Sequence, residues 1–592
     1  MKKLLTITLS ILLSYAVTNA ACNCGSTNSA SPCTGQSSSI TVVAGTPNGG
    51  TAVNNVYSWT FTSGGGDARC GQFANGDYWV APASGQSSVV LTGVTSSSHA
   101  SLITADDNPV VESLGLLNNA DALQNYNAAN NIIPNLPIAY STTTSIVTAI
   151  QRNVATEGGC QADNMDACTD SYGVLTVLTS VPENAGSTVL RPNIVGETKE
   201  LISLSDLDFS RVPSKSFLTG TDTTGLETIR KRWSHHSEVF SVWNAVCTDQ
   251  QGYCSEGGIG FRSHTMVGGY GASMAVQWYN DLMLLFSDDN TIEEKKPALA
   301  AMLSFGNDLY HTIYDSGAYT RTWGTGATQH PGKFMPVALF AALLTDTTKA
   351  NVLKLAASHV HDTTHSGPLE LAQVHSGANG PVWGDILNLT GVNFQGSYWS
   401  NLMLSQCYDG APGTCNVAIG SKTMFDPYGY IDGPPNEPLT SYAGSSLGVQ
   451  KAFLATMFLL PDVCDIVNYD PLTEYVDRVL ATGKKALPDP CVTPDSRENI
   501  AVCDPYRNQD CVYYGVTWGP VTPSDINSVC ITTPTPPYTQ QGRFASLDGI
   551  AIGAAYTSTQ VEANWATIRG AASSCRTNAP RRLKIKTIIY EP

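Results

Sequence analysis

Two hydrophobic rhythms divide the chain. From Ser38 to about Asp206, short runs such as Ile40–Val43, Val56–Phe61, Asp77–Val80, Ser88–Leu91 and Gly173–Thr179 are rich in β-branched residues or alternate apolar with polar ones, and Gly, Asn, Ser and Pro interrupt them. Alternation of period two turns one face of a run to a core and the other to water, which is the pattern of β-strands. The segment 21–215 is therefore expected to form an all-β, sandwich-like domain, with Asn118–Asn131 as a polar insertion or short helix.

After Phe217 the period lengthens. Met274, Trp278, Leu282 and Leu285 fall on one stripe of a helix from about Tyr270 to Phe286, and Leu299, Met302, Phe305, Leu309 and Ile313 continue a second. Between them Ser287-Asp288-Asp289-Asn290 supplies capping side chains, and Glu293 and Glu294 suit the first turn of the helix that follows. Further helical spacing covers Lys333–Leu344, Thr348–Ser358, Ser441–Leu460, Leu472–Thr482 and Asp548–Ile568. The expectation is an array of antiparallel helices over 216–487, a Cys- and Pro-rich stapled excursion over 488–542, and a C-terminal helix with a basic tail over 543–592. No repeat of fixed period is visible, which argues against a solenoid. At 592 residues the chain exceeds what one core serves, so two or more domains are expected.

The first twenty residues stand outside both rhythms. Lys2 and Lys3, an apolar stretch from Leu4 to Val17 and then Thr18-Asn19-Ala20 follow the charged, apolar and small-residue order of a signal peptide, with cleavage expected near Ala20. That places the mature protein outside the cell or in a periplasm. No later segment approaches the roughly 20 apolar residues of a membrane helix, so no stable membrane insertion is expected. All sixteen cysteines lie beyond the cleavage point, an even number in an exported chain, and disulfides are the expectation. Cys160 with Cys168, Cys247 with Cys254, and Cys407 with Cys415 each enclose a short polar or Gly-rich loop and form the simplest local staples; the other ten cysteines cannot be paired by spacing. Zinc knuckles would need paired Cys-x-x-Cys motifs, which the chain lacks.

Charge narrows the partners. A formal charge of −17 is wrong for nucleic acid, whose phosphates need Lys and Arg. A basic site can still exist within an acidic molecule, and nine of the ten histidines fall between His235 and His375. Arg230, Lys231 and Arg232 just before that stretch, and Arg262, Arg321 and Lys333 within it, interleave with Tyr270, Trp278, Tyr310, Tyr314, Tyr319 and Trp323, and Trp383 follows shortly after. Cations that neutralise carboxylates or sulfates, and aromatic faces that stack on sugar rings, suit an acidic polysaccharide. The sharpest segment runs from Tyr319 to Lys333: a Gly-rich polar loop carries Arg321, Trp323 and His330 to an apolar helix. Upstream, Arg262, His264 and Tyr270 flank Gly268 and Gly269 at another helix start.

Other chemistries leave weaker traces. His359, His361, Asp362, His365 and His375 keep a divalent cation possible, although no His-Glu-x-x-His helix is present and no cofactor is required. Gly444-Ser-Ser446-Leu-Gly448 has the spacing of a nucleophile elbow, but no histidine follows it to complete the chain order of that triad. Asp426, Asp432 and Glu370 keep open a glycoside hydrolase that uses a carboxylate pair. A non-catalytic extracellular protein that binds glycans or proteins is the third alternative.

The β-rich half followed by a helical half, with the His330 loop running into Gly332–Leu343, resembles secreted polysaccharide lyases of the alginate-lyase and heparinase II/III type, built on an incomplete (α/α) toroid plus a β-sandwich. The likeness covers residues of about 230–480. It implies β-elimination on a uronate-containing polysaccharide. His330 and Arg321 would neutralise the carboxylate, Tyr314 or Tyr270 would serve as base and acid with His264 nearby, and Arg262, Lys333, Trp323 and Trp383 would hold the sugar chain.

Overall fold

The computed structural model describes residues 34–43, 56–96, 113–118, 132–151, 169–234 apart from Val195 and Glu197, 271–315, 318–319, 329–356, 374–377, 380–383, 441–467, 472–477, 500–503, 511–517, 541–543 and 557–571. It is a mixed α+β protein with an N-terminal sheet region and a helical region after it.

The N-terminal strands are β1 (Thr34–Ser37), β2 (Ser39–Val43), β3 (Val56–Thr62), β4 (Ala68–Gln72), β5 (Tyr78–Ala81), β6 (Val89–Ser96), β7 (Ser113–Asn118), β8 (Ile138–Tyr140), β9 (Thr144–Gln151) and β10 (Thr169–Val177). They form a six-stranded sheet in the order β1-β4-β5-β10-β9-β7 and a four-stranded sheet in the order β2-β3-β6-β8. All pairings in the two sheets are antiparallel except β5 with β10.

The alternation in the sequence is what closes the two sheets on each other. Ile40, Trp59, Phe61, Val89, Leu91 and Tyr140 from one sheet share a core with Ala68, Cys70, Tyr78, Val80, Ile146, Leu175 and Val177 from the other. Trp59 Nε1 donates to Thr148 Oγ1 across the gap at 2.7 Å, so the one polar atom of that buried ring is satisfied. Strand β5 departs from alternation because both of its faces are covered. Tyr78 and Val80 enter the sandwich core, whereas Trp79 and Ala81 pack with Phe73, Leu178 and Val189 behind it. Cys70, buried in β4, is disulfide-bonded, as is Cys464 in the helical region.

The helices are α1 (Thr223–Trp233), α2 (Gly271–Leu285), α3 (Ile292–Ile313), α4 (Gln329–Leu343), α5 (Thr348–Ala356), α6 (Ser441–Leu459), α7 (Pro461–Val467) and α8 (Thr559–Ala571). Their core is continuous, and α4 lies at its centre: Phe334, Met335 and Val337 to Leu343 are all buried, and α2, α3, α5, α6 and α7 pack around it. A helix apolar on every side must be enclosed by others, so the run Phe334–Leu344 dictates that position. Leu190, Ile202, Leu207 and Leu218, which precede α1, belong to this core.

Several boundaries differ from the sequence expectation for local reasons. The cap of α3 is Thr291, not the Ser287–Asn290 run. Glu294 accepts from the Thr291 backbone N–H at 2.8 Å and Thr291 Oγ1 accepts from Glu294 N, a reciprocal box. Asp289 instead accepts from Gly220 N at 2.6 Å and from Ser287, tying the α2–α3 turn to the segment that leads into α1. Helix α8 starts at Thr559, where the expected helix began at Asp548, and Gln560 accepts from Thr219 N there. The stretch read as a stapled excursion contains β15 (Ile500–Cys503), β16 (Cys511–Thr517) and β17 (Gln541–Arg543), a three-stranded sheet.

The two regions are joined by buried charge. Arg191 Nε donates to Asp77 Oδ2 at 2.5 Å, and its Nη1 and Nη2 donate to Asp308 Oδ1 and Oδ2 at 3.0 and 2.5 Å. All three side chains have 0% exposure. Asp77 immediately precedes β5, Arg191 follows the sandwich and Asp308 is on α3. Asp308 also accepts from Ile194 N, and Asn75 Nδ2 donates to Asp77 Oδ2. Beside this bridge Arg230 of α1 donates to Asn75 O at 2.9 Å and is paired with Glu227. Its guanidinium lies over Gly76, where a Cβ would overlap Nη1; the φ of +94° there also favours glycine.

Arg191→Ala would leave two carboxylates buried without their shared cation and is expected to lower unfolding free energy by about 3–5 kcal/mol. Urea titration measures it. The triple replacement Asp77→Leu, Arg191→Met, Asp308→Leu is expected to recover much of that loss, and a triple variant no more stable than Arg191→Ala would contradict a purely charge-based account.

Candidate functional site

The helical region brings parts of the predicted site into two neighbourhoods. The first is at the first turns of α2 and α4. A Cβ added at Gly332 would meet the Cβ of Ala275, so these turns touch at a distance that a larger residue would prevent. His330 and Lys333 lie on the first turn of α4, and α2 begins at Gly271, immediately after Tyr270. Two helix N-termini are thus side by side, and each carries a partial positive charge from its unpaired N–H groups. The side chains of His330 and Lys333, and all of Arg262, His264, Tyr270, Arg321 and Trp323, lie outside the described residues.

The second neighbourhood is the C-terminal end of α3. The helix passes directly into β11 (Tyr314–Asp315), which pairs antiparallel with β12 (Ala318–Tyr319), so that Tyr314 stands opposite Tyr319. Just before the hairpin, the Tyr310 and His311 rings meet edge to face with centroids 5.4 Å apart. Lys349, in the first turn of α5, places its Nζ 4.7 Å from the centre of the Tyr310 ring and 2.8 Å from Glu200 Oε2. Helix α5 also packs against β12. Burial, and then the Glu200 charge, push the Tyr310 phenol up to about 12. A phenol with that pKa stays protonated at neutral pH, so Tyr310 can donate a hydrogen bond or a proton but is a poor base.

Trp383 ends β14 (Gly380–Trp383), whose partner β13 (Val374–Gly377) sets Val374 opposite Trp383 and His375 opposite Val382. Nothing described carries this hairpin to His330 or Tyr314. Of the carboxylates considered for hydrolysis, Asp426, Asp432 and Glu370 are outside the described residues, as are His359, His361, Asp362 and His365 and the three proposed local disulfide pairs. Among the described residues no group of three or more His, Cys, Asp or Glu side chains could hold a metal ion, and no helix is long and apolar enough to cross a membrane.

One buried carboxylate next to this region escaped the sequence reading. Asp281 of α2 accepts from Arg232 Nη1 with both oxygens, at 2.6 and 2.5 Å, from Trp233 Nε1 at 2.8 Å and from Gln277 Nε2 at 3.1 Å. It anchors the end of α1, from which the chain continues into the segment bearing Arg262 and His264. Only the Gln277 contact, one turn earlier on α2, is local in sequence; Arg232 and Trp233 are on another helix, so the sequence does not forecast the cluster. Lys349 and Glu200 were missed for the same reason; alone, each reads as an ordinary surface charge.

Burial pushes the Asp281 carboxyl up, against the pull of Arg232. A carboxyl with a raised folded pKa holds its proton more tightly in the folded state. Its contribution to stability is therefore present at low pH and lost as pH rises from the usual carboxylate range, about 4, through the raised value. The unfolding free energy of the wild type minus that of Asp281→Asn is expected to fall across that window; a flat difference would contradict the assignment. Comparison with known protein families, curated proteins and solved structures finds none that matches this chain.

Proposed function

We propose that the protein is a secreted carbohydrate-active enzyme, a polysaccharide lyase that cleaves a uronate-containing polysaccharide by β-elimination, and that its helices form part of an incomplete (α/α) toroid. The observation that carries this reading is the contact between the first turns of α2 and α4. It sets the helix start that follows Tyr270 beside the one bearing His330 and Lys333, with two helix N-termini at the same place. An anionic sugar carboxylate suits such a position.

In this reading His330, with Arg321 and Lys333, neutralises the uronate carboxylate and so acidifies the C5 proton. Tyr314 or Tyr270 removes that proton, and a tyrosine returns one to the leaving glycosidic oxygen. Arg262 and His264 would add contacts to the bound chain, and Trp323 and Trp383 would stack on sugar rings. The partner is an anionic polysaccharide, and the disulfide bonds at Cys70 and Cys464 agree with export to an oxidising compartment.

The protein should release products that absorb in the ultraviolet, as unsaturated uronates do, from at least one of alginate, ulvan or a glycosaminoglycan. His330→Ala and Tyr314→Phe should each lower kcat by roughly 10²–10⁴-fold. New reducing ends without that absorbance would overturn the lyase and favour hydrolysis through Asp426, Asp432 or Glu370. Tight glycan binding without turnover, indifferent to His330→Ala, would favour a binding protein.

A further inference from the structure

The strand register of the C-terminal sheet pairs two cysteines that spacing leaves unassigned. Strands β15 and β16 are antiparallel, with Ile500 opposite Tyr514, Ala501 opposite Tyr513, Val502 opposite Val512 and Cys503 opposite Cys511. The cysteines form the last pair of this register. We infer that Cys503 and Cys511 form a disulfide that closes this hairpin.

Three arguments converge. Residues directly opposite in an antiparallel pair have Cα atoms about 4.5–5.5 Å apart and share a face of the sheet, inside the roughly 4.4–6.8 Å that a disulfide spans. A slip of one residue would set Cys511 against a neighbour of Cys503 and turn the two cysteines to opposite faces, so the register itself selects the pair. The enclosed segment, Asp504-Pro-Tyr-Arg-Asn-Gln-Asp510, is made of turn-forming and polar residues with one aromatic, and a hairpin closed by such a loop has little apolar surface to hold it.

Formation is an oxidation: two thiols lose two protons and two electrons, the sulfur–sulfur bond forms, and the electrons reduce a disulfide of a thiol–disulfide oxidant in the export compartment to its dithiol. Combined with the three local staples expected from spacing, this bridge would leave Cys22, Cys24, Cys33, Cys70, Cys464, Cys491, Cys530 and Cys575, and eight cysteines admit about 105 pairings.

Peptide mapping of the full chain, alkylated without reduction, tests the assignment. Trypsin cuts after Arg507, inside the loop, so the bridge must hold two peptides together until a reductant is added. Chymotrypsin, cutting after Tyr513, Tyr514 and Trp518, then separates Cys511 from Cys530. The expected result is a linked pair containing Cys503 and Cys511 alone. Alkylated Cys503 or Cys511, or a link from either to another cysteine, overturns it. In Cys503→Ser, alkylation should gain one site, at Cys511; the wild-type map stands as evidence whether or not that variant folds.

Discussion

The shared guanidinium of Arg191 is the constraint on which the arrangement of this protein rests. It lies between Asp77, immediately before a sandwich strand, and Asp308, on the long helix α3, and all three groups are shut off from water. A buried carboxylate without a cation is costly, so neither aspartate can be accommodated unless sandwich and helices meet at this place. Arg230 reinforces the junction by reaching across Gly76 to the backbone of the same turn. The contact is polar and directional, and it defines one docking geometry where an apolar patch would tolerate several.

That junction has consequences for the candidate site. Asp308 lies two residues before Tyr310 and six before Tyr314, about 9 Å along the helix axis. The sandwich is therefore clamped close to the end of α3 that carries the tyrosine hairpin, and the Asn193–Glu200 segment that follows Arg191 brings Glu200 to Lys349. The β region is thus tied to this end of α3 and to α5 as well as docked at Arg191.

Around the site, charge is placed by helix ends and by pairing across elements. The N-termini of α2 and α4 meet because Gly332 leaves room for Ala275. Lys349 is held between a carboxylate and a tyrosine face, and Asp281 is held by three donors from two helices. Both charges are thereby compensated within the protein, and the helix ends are held by pairs that join separate elements.

Much of the fold was legible in the sequence, because periodicity is a property of near neighbours. The alternating run Val56–Phe61 announced a strand, and the apolar stretch Lys333–Leu344 announced a helix, which the structure encloses on all sides. The even cysteine count raised the expectation of disulfides; Cys70 and Cys464 are each disulfide-bonded, and the three short-loop pairs lie outside the described residues. The site was legible only as an inventory of residue types: Tyr310 and Tyr314 were named, but Lys349, Glu200 and Asp281 were not. What only the tertiary structure decided is which residues meet: Arg191 with Asp77 and Asp308, separated by more than a hundred positions, and, at short range, Cys503 opposite Cys511 through a strand register. The Arg191 pairs leave no local pattern, since their energy arises from burial and from partners that the chain supplies only after it has folded.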